Sequence, residues 1–361
     1  MCLFLAWFAS FYRSGFGFTY VLLFTQRSAD LRVHAMHDIP VYVHPGGGYD
    51  GQYYAQLAVD PLLRDPSIDT ALDSPPFRAR RILFSWTAWL LGLGRPFWVV
   101  QAYCVQNVLF WAAFAIWLRR RLATNTVEDL LVWVACLFTP GMLDSTRMAL
   151  IDGPSALVLA MGVEAIERGR PWLGSIVLGI AGLARETNLL AGVSILPRRL
   201  ALRTLLIAMG AGLLVVLPTL LWLDYLRSIY RSLVTQSLDQ LTMPFVAYQE
   251  AWHRLFRVAR RTGFISVRAL PWFAFVGVTA QALYVVALHR WRSAWWRVGV
   301  AFAGLMLIMK GEIWLGAYLR VLLPLTLAFN LSLPRDRSFW PLFVVGNLGL
   351  ATSVQLIASA F

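Results

Sequence analysis

Charge is scarce in this 361-residue chain: Asp, Glu, Lys and Arg make up only 14% of it, against 58% hydrophobic residues. A soluble globular domain carries roughly a quarter charged and about half apolar residues. The composition, with a mean hydropathy of +0.61, therefore excludes an ordinary soluble fold and points to an all-α polytopic membrane protein. Cysteine is scarcer still. Cys2, Cys104 and Cys136 all fall in apolar segments without metal-ligand spacing, which excludes a disulfide framework and leaves three small buried hydrophobes. Also missing are a Gly-x-x-x-x-Gly-Lys phosphate loop, a Gly-x-Gly-x-x-Gly dinucleotide turn and a His-Glu-x-x-His pair. Gly46–Gly48 lacks the lysine and helix that follow in a phosphate loop, so a donor held by a soluble nucleotide fold is not expected. With no internal repeat and no low-complexity tract, residues 1–361 read as a single integral membrane domain.

The charge that is present is mostly basic, with a net value of +13. In a membrane protein such an excess collects in cytoplasmic loops and sets orientation, so nucleic acid is not an expected partner. Apolar runs predict spans over 2–24, 97–118, 128–143, 150–166, 171–186, 188–197, 200–224, 269–288, 297–311, 316–333 and 340–360, about eleven helices. Residues 82–94 read as a re-entrant or interfacial helix. The first segment has neither a basic leader nor a cleavage site and reads as a retained helix. Placing the first loop outside puts Arg119–Arg121, Arg168 and Arg170, Arg198, Arg199 and Arg203, Arg290, Arg292 and Arg297, and Arg335 and Arg337 inside. Two outer loops then stand out, 25–80 and 225–268. The second carries Arg227, Arg231, Arg254, Arg257, Arg260, Arg261 and Arg268 despite its side. Within it 250–261 predicts an amphipathic helix, with Trp252, Leu255, Phe256 and Ala259 on one face and Arg254, Arg257 and Arg261 on the other. Such a helix lies in the interface as a brace among membrane lipids, or guides a phosphate-bearing lipid.

The first loop holds seven of the nineteen acidic residues: Asp30, Asp38, Asp50, Asp60, Asp65, Asp69 and Asp73. Its centre, Gly46-Gly47-Gly48-Tyr49-Asp50-Gly51-Gln52-Tyr53-Tyr54, is closed by Asp60-Pro61. Glycines let backbone approach a ligand, and Tyr49, Gln52, Tyr53, Tyr54 and Gln56 are types that stack on and hydrogen-bond to a sugar. Asp50 is a candidate general base for an acceptor hydroxyl. It fits an Asx turn or helix N-cap equally well. His34, His37 and His44 share the loop. A His-x-x-His pair can hold a metal, but the loop has no further ligand pattern, and a divalent metal ranks below solvated or hydrogen-bonding histidines.

Ionisable residues at membrane depth cost about 2.5–3.5 kcal/mol each on insertion scales and mark functional cavities. Arg13, Asp144, Arg147, Asp152, Arg185, Glu186, Lys310, Glu312 and Arg320 are the candidates, and the predicted topology puts all but Arg13 near outer helix ends, on the side of Asp50. Arg185 and Glu186, being adjacent, need separate partners. Arg320 reads as a phosphate ligand or as a snorkelling anchor. Asp152-Gly153-Pro154 reads as a helix N-cap with proline in the first turn.

Tyr49-Asp50-Gly51-Gln52-Tyr53-Tyr54 with Asp60-Pro61, then Arg81-Ile82-Leu83, Leu183-Ala184-Arg185-Glu186-Thr187 and Tyr318-Leu319-Arg320-Val321-Leu322-Leu323-Pro324, resemble segments of bacterial polytopic glycosyltransferases of the GT-C class. The resemblance implies a sugar donor linked to polyprenyl phosphate, which is a substrate and not a cofactor. It implies transfer to an acceptor hydroxyl on a cell-surface glycan, lipid or protein at the outer face of the cytoplasmic membrane. It also implies Asp50, or Asp60, as the catalytic carboxylate and Arg320 as the lipid-phosphate partner; as a sugar transferase, the chain would add Lys310 or Arg185 to Arg320 at the departing phosphate. Against the resemblance, neither the soluble C-terminal domain of some members nor the adjacent acidic pair of several branches is expected here. Two other classes remain as alternatives: a transporter or flippase for a lipid-linked glycan or small solute, and a non-catalytic subunit of a surface-polysaccharide assembly system.

Overall fold

A chain with so few charges satisfies its backbone internally, and in lipid that means helices. The computed structural model describes residues 2–123, 125–197, 201–230 and 240–358. It is 72% helical, and no strand occurs among the described residues. The helices used below are α1 (Cys2–Ala9), α2 (Gly51–Val59), α3 (Pro75–Ala79), α4 (Leu83–Leu91), α5 (Pro96–Leu122), α6 (Val127–Leu137), α7 (Pro140–Arg147), α8 (Asp152–Glu167), α9 (Pro171–Ala184), α10 (Leu202–Ile229), α11 (Val246–Thr262), α12 (Leu270–Ala287), α13 (Ala294–Ile308), α14 (Tyr318–Val321), α15 (Leu323–Ser332), α16 (Phe339–Gly346) and α17 (Leu350–Ala358).

Their ends follow local chemistry. Pro96 opens α5, and Arg119–Arg121 sit in its last turn, where cations favour the helix dipole. Thr126, Thr139 and Ser293 cap α6, α7 and α13 through their side-chain oxygens. Glycines set the closest approach: a Cβ at Gly174 of α9 would lie 2.7 Å from the carbonyl of Gly162 in α8. These small residues allow near contact between backbones, as in membrane helix pairs. α9 also packs along α10, and α13 packs along α15.

Three helices are long and apolar enough to cross a membrane: α5, α10 and Val267–Ala287, which contains α12. The pair α16 and α17, bent by 54°, adds a fourth if taken as one span. About eleven such spans were expected. The difference arises because several apolar runs are cut by residues that cannot continue a helix. The predicted 2–24 span ends after α1, where Gly15 and Gly17 adopt positive φ (80° and 63°) and Arg13 pairs back on Gly17. Pro140 splits 128–143 into α6 and α7, since the residue before a proline is pushed to extended angles. Residues Glu186–Ile195 form a 3₁₀ helix, and 316–333 breaks at Leu322 ahead of Pro324. The shorter apolar helices α9, α13 and α15 pack among the others. Arg198, Arg199 and Arg231 lie outside the described residues.

The amphipathic helix predicted at 250–261 is present as α11, with one residue misassigned. Trp252 and Phe256 meet Trp272 (ring centroids 4.5 and 5.2 Å), and Ala259 is buried. Arg254, however, is half-buried on the packing side and donates to the carbonyl of Trp314 (3.3 Å). Arg257 and Arg261 face outward as expected.

The loop 25–80 folds over one end of α4 and α5 in short helical pieces. Gln56 ties it down: its Oε1 accepts from the Val33 amide (3.1 Å) and its Nε2 donates to the Ala71 carbonyl (3.2 Å). This buried amide serves the fold and not a sugar.

Candidate active site

Gly51 begins α2, and a Cβ there would collide with the carbonyl of Met148. Only glycine lets this turn press against the α7–α8 junction, and that contact fixes Asp50, the preceding residue. Asp50 occupies the N-cap position with helical angles and no capping bond, so the capping alternative fails. Its Oδ1 instead meets Arg78 Nη1 at 3.0 Å. Arg78 ends α3, whose start is set by Pro75 and Pro76. It also holds Asp73 through Nε (2.9 Å) and Nη2 (2.7 Å) and lies over the Tyr53 ring (4.9 Å). Burial works against the Arg78 charge, but the hydrogen bonds to Asp73 and the field of Tyr54, Asp50 and Asp73 outweigh it and raise its pKa above the ordinary arginine value.

Three further arginines arrive from distant segments. Arg81 donates to Glu186 Oε2 (2.9 Å) and to the Tyr54 hydroxyl (3.3 Å). Arg185 and Arg320 converge on Asp152, Arg185 on Oδ1 and Arg320 Nη1 on Oδ2 (3.1 Å). Arg320 Nη2 also donates to the Tyr49 hydroxyl, with its guanidinium 5.1 Å from that ring. Buried charges persist only when paired and hydrogen-bonded, and the four arginines here alternate with carboxylates.

Apart from Asp73 and Tyr53, these groups line one cavity of about 910 Å³. Its polar wall is Tyr49, Asp50, Tyr54, Arg78, Arg81, Asp152, Arg185, Glu186 and Arg320. Its apolar lining includes Leu190, Leu241, Ala301, Leu305, Ile308 and Met309, the last four from α13 and its end. Arg185 Nε, Glu186 Oε1 and Thr187 Oγ1 are buried without a hydrogen-bond partner among the described residues. Native proteins rarely leave such atoms unpaired, and all three residues line the cavity. Asp50 keeps 31% of its side chain exposed, whereas Asp152 keeps 2%. Asp50 is thus the first-loop carboxylate that opens onto the cavity, and Asp152 is locked between two cations.

The structure brings together Tyr49, Asp50, Tyr54, Arg185, Glu186, Glu312 and Arg320 from the expected set. Asp60 is elsewhere: at the far end of α2 it accepts from the Asp65 amide (2.7 Å) and closes a turn. Gln52 is buried and accepts from the Ser28 hydroxyl. Tyr53 lies beneath Arg78 and off the cavity wall. Lys310 stands 3.8 Å from Glu312 at the exposed rim and does not line the cavity. Arg320 is no snorkelling anchor, because its side chain is 6% exposed and turned inward. Asp152 is no N-cap either: Ile151 takes that position, and the Asp152 carboxylate is drawn away by its two arginines. Arg78 was not expected at all, and Arg81 only as part of a motif. Their signal was a pair of arginines three residues apart at the end of the acidic loop.

His34 bonds Asp65 (3.0 Å), His37 the Arg32 carbonyl (2.8 Å) and His44 the Tyr20 carbonyl (2.9 Å). Among the described residues no three His, Cys, Asp or Glu side chains gather as metal ligands.

A family model for glycosyltransferase family 87 matches residues 75–311, more than half of the chain. The chain belongs to glycosyltransferase family 87. No curated protein and no solved structure matches it. Within the span matched to family 87 lie Arg78, Arg81, Asp152, Arg185 and Glu186, while Tyr49, Asp50, Glu312 and Arg320 lie outside it. The cavity therefore joins family 87 residues to groups brought in from both flanks. Membership makes the chain a glycosyltransferase acting on a sugar donor and an acceptor, and its apolar helices make it a membrane protein.

Proposed function

We propose that this family 87 member is a GT-C-type enzyme that moves a sugar from a polyprenyl-phosphate donor to an acceptor hydroxyl of a cell-surface glycan, lipid or protein. Transfer takes place at the outer face of the cytoplasmic membrane. Loop 25–80 carries the reacting carboxylate, and Gln240 and Leu241 of the second outer loop add to the cavity lining. The reading rests chiefly on one observation: Asp50, the Asp152-bound pair Arg185 and Arg320, and the apolar face of α13 line the same cavity. A lipid-linked sugar phosphate has the same three parts, an apolar tail, an anion and a polar ring.

In this reading the lipid phosphate sits against Arg320 and Arg185, with the tail along Ala301, Leu305 and Ile308. Tyr49, Tyr54 and the unpaired Oε1 of Glu186 hold the sugar. Asp50 accepts the proton of the acceptor hydroxyl through Oδ2, which no described residue hydrogen-bonds, while Arg78 holds Oδ1. The hydroxyl oxygen bonds to the anomeric carbon from the side opposite the phosphate. The carbon–oxygen bond to phosphate breaks, and polyprenyl phosphate leaves with the electron pair. Negative charge on the leaving oxygen grows in the transition state, where fixed guanidinium groups act most strongly. A general base contributes roughly 10²–10⁴-fold.

The test is the surface-glycan profile of a deletion strain complemented with wild type or Asp50→Asn at equal membrane abundance. Restoration by wild type alone supports the reading. Restoration by both removes Asp50 from the mechanism, and an unchanged profile on deletion removes the glycan assignment.

A further inference from the structure

Arg13 and Arg147 stood out in the sequence as charges at membrane depth, and the reaction cavity uses neither. The fold brings them together elsewhere. Both line a second chamber of about 310 Å³, formed between the turn after α1, the end of α7 and the face of α17 that carries Leu356. This is the lower edge of the roughly 300–1,000 Å³ typical of small-molecule sites. The two chambers share no lining residue. They stand back to back: Met148 lines the second one, and its carbonyl is the group against which Gly51 packs.

The charges in this chamber do not balance. Arg147 Nη2 bonds Asp144 (3.0 Å), and its Nε is buried with no hydrogen-bond partner among the described residues. Arg13 has no carboxylate partner among the described residues. Its guanidinium lies 4.3 Å from the Tyr20 ring centroid, and its Nη1 alone is engaged, donating to the carbonyls of Ser10 (2.7 Å) and Tyr12 (3.0 Å). That leaves one uncompensated positive charge, with donors on two held guanidinium groups. Phe11, Leu23 and Leu356 supply apolar wall beside them.

We propose that this chamber binds the phosphodiester head group of an anionic membrane lipid, apart from the lipid that reacts. A phosphodiester carries the single negative charge that Arg13 lacks, and guanidinium–phosphate pairs are strong and directional. The apolar wall suits the glycerol and first acyl carbons, which free phosphate would leave unused.

The experiment uses the full chain in nanodiscs of phosphatidylcholine doped with phosphatidylglycerol, with lipid retained after delipidation read by native mass spectrometry. Wild type is expected to keep one phosphatidylglycerol. Arg13→Gln should hold it about tenfold more weakly, as loss of a charged hydrogen-bonded contact implies, and Arg13→Lys should recover part of the binding. Leu356→Trp, which fills the apolar half, should exclude the lipid and serves if Arg13→Gln does not fold. Arg257→Gln on α11 should retain the lipid as wild type does. Unchanged retention in both chamber variants would overturn the proposal. So would displacement of the lipid by inorganic phosphate, because the site would then take the free anion.

Discussion

Asp50 and Asp60 stand at the two ends of the same nine-residue helix, and their surroundings differ sharply. Asp50 meets a guanidinium on one oxygen and a cavity on the other. Asp60 is turned onto the Asp65 amide, where a carboxylate does no more than any acceptor would. Ten residues of sequence separate a candidate base from a turn residue. The difference lies in segments far away: Arg78 is held by Asp73, and the turn at Gly51 is pressed on Met148.

Substitutions at the two ends of the helix and around the cavity should differ widely in effect. The largest effect is expected for Asp50→Asn, which keeps the shape but removes the proton acceptor. Transfer by the purified enzyme should fall by about 10²-fold or more, the usual weight of a general base, with the thermal unfolding midpoint unchanged. Arg320→Ala should follow, with transfer lower by about 10²–10³, the scale for losing one group that stabilises a leaving oxyanion. Arg320→Lys should recover part of the rate in the same assay.

Asp152→Asn tests the other side of the cavity. It leaves Arg185 and Arg320 buried without their shared counter-charge, and breaking such a pair costs about 3–5 kcal/mol. The readout is a lower unfolding midpoint in detergent together with slower transfer, which would set a structural carboxylate apart from Asp50. The smallest effect belongs to Asp60→Asn. The amide oxygen still accepts from Asp65, so stability should change by under about 1 kcal/mol, with transfer within about twofold of wild type.

Much of this was legible from residue types. Scarcity of charge gave the helical membrane fold, the surviving charges gave Arg185, Glu186, Glu312 and Arg320 on the side of Asp50, and the first-loop motif gave Tyr49. Helix breaks were harder to read, because hydropathy windows do not register Gly15, Gly17 or Pro140, each of which acts through backbone angles. Partner choice was the least legible. Asp152-Gly153-Pro154 has the sequence of a cap, and only the arrival of Arg185 and Arg320 from other segments turns its carboxylate inward. Arg78 reads in the sequence as an ordinary loop arginine, but it is buried in the last turn of α3, where its role depends on the carboxylates of Asp50 and Asp73.

The most direct test is a side-by-side transfer assay of purified Asp50→Asn and Asp60→Asn with a polyprenyl-phosphate sugar as donor, at matched folded protein. Asp50→Asn should be nearly inactive and Asp60→Asn close to wild type. Equal activity in both, or loss confined to Asp60→Asn, would contradict the assignment of the reacting carboxylate to the cavity end of the helix.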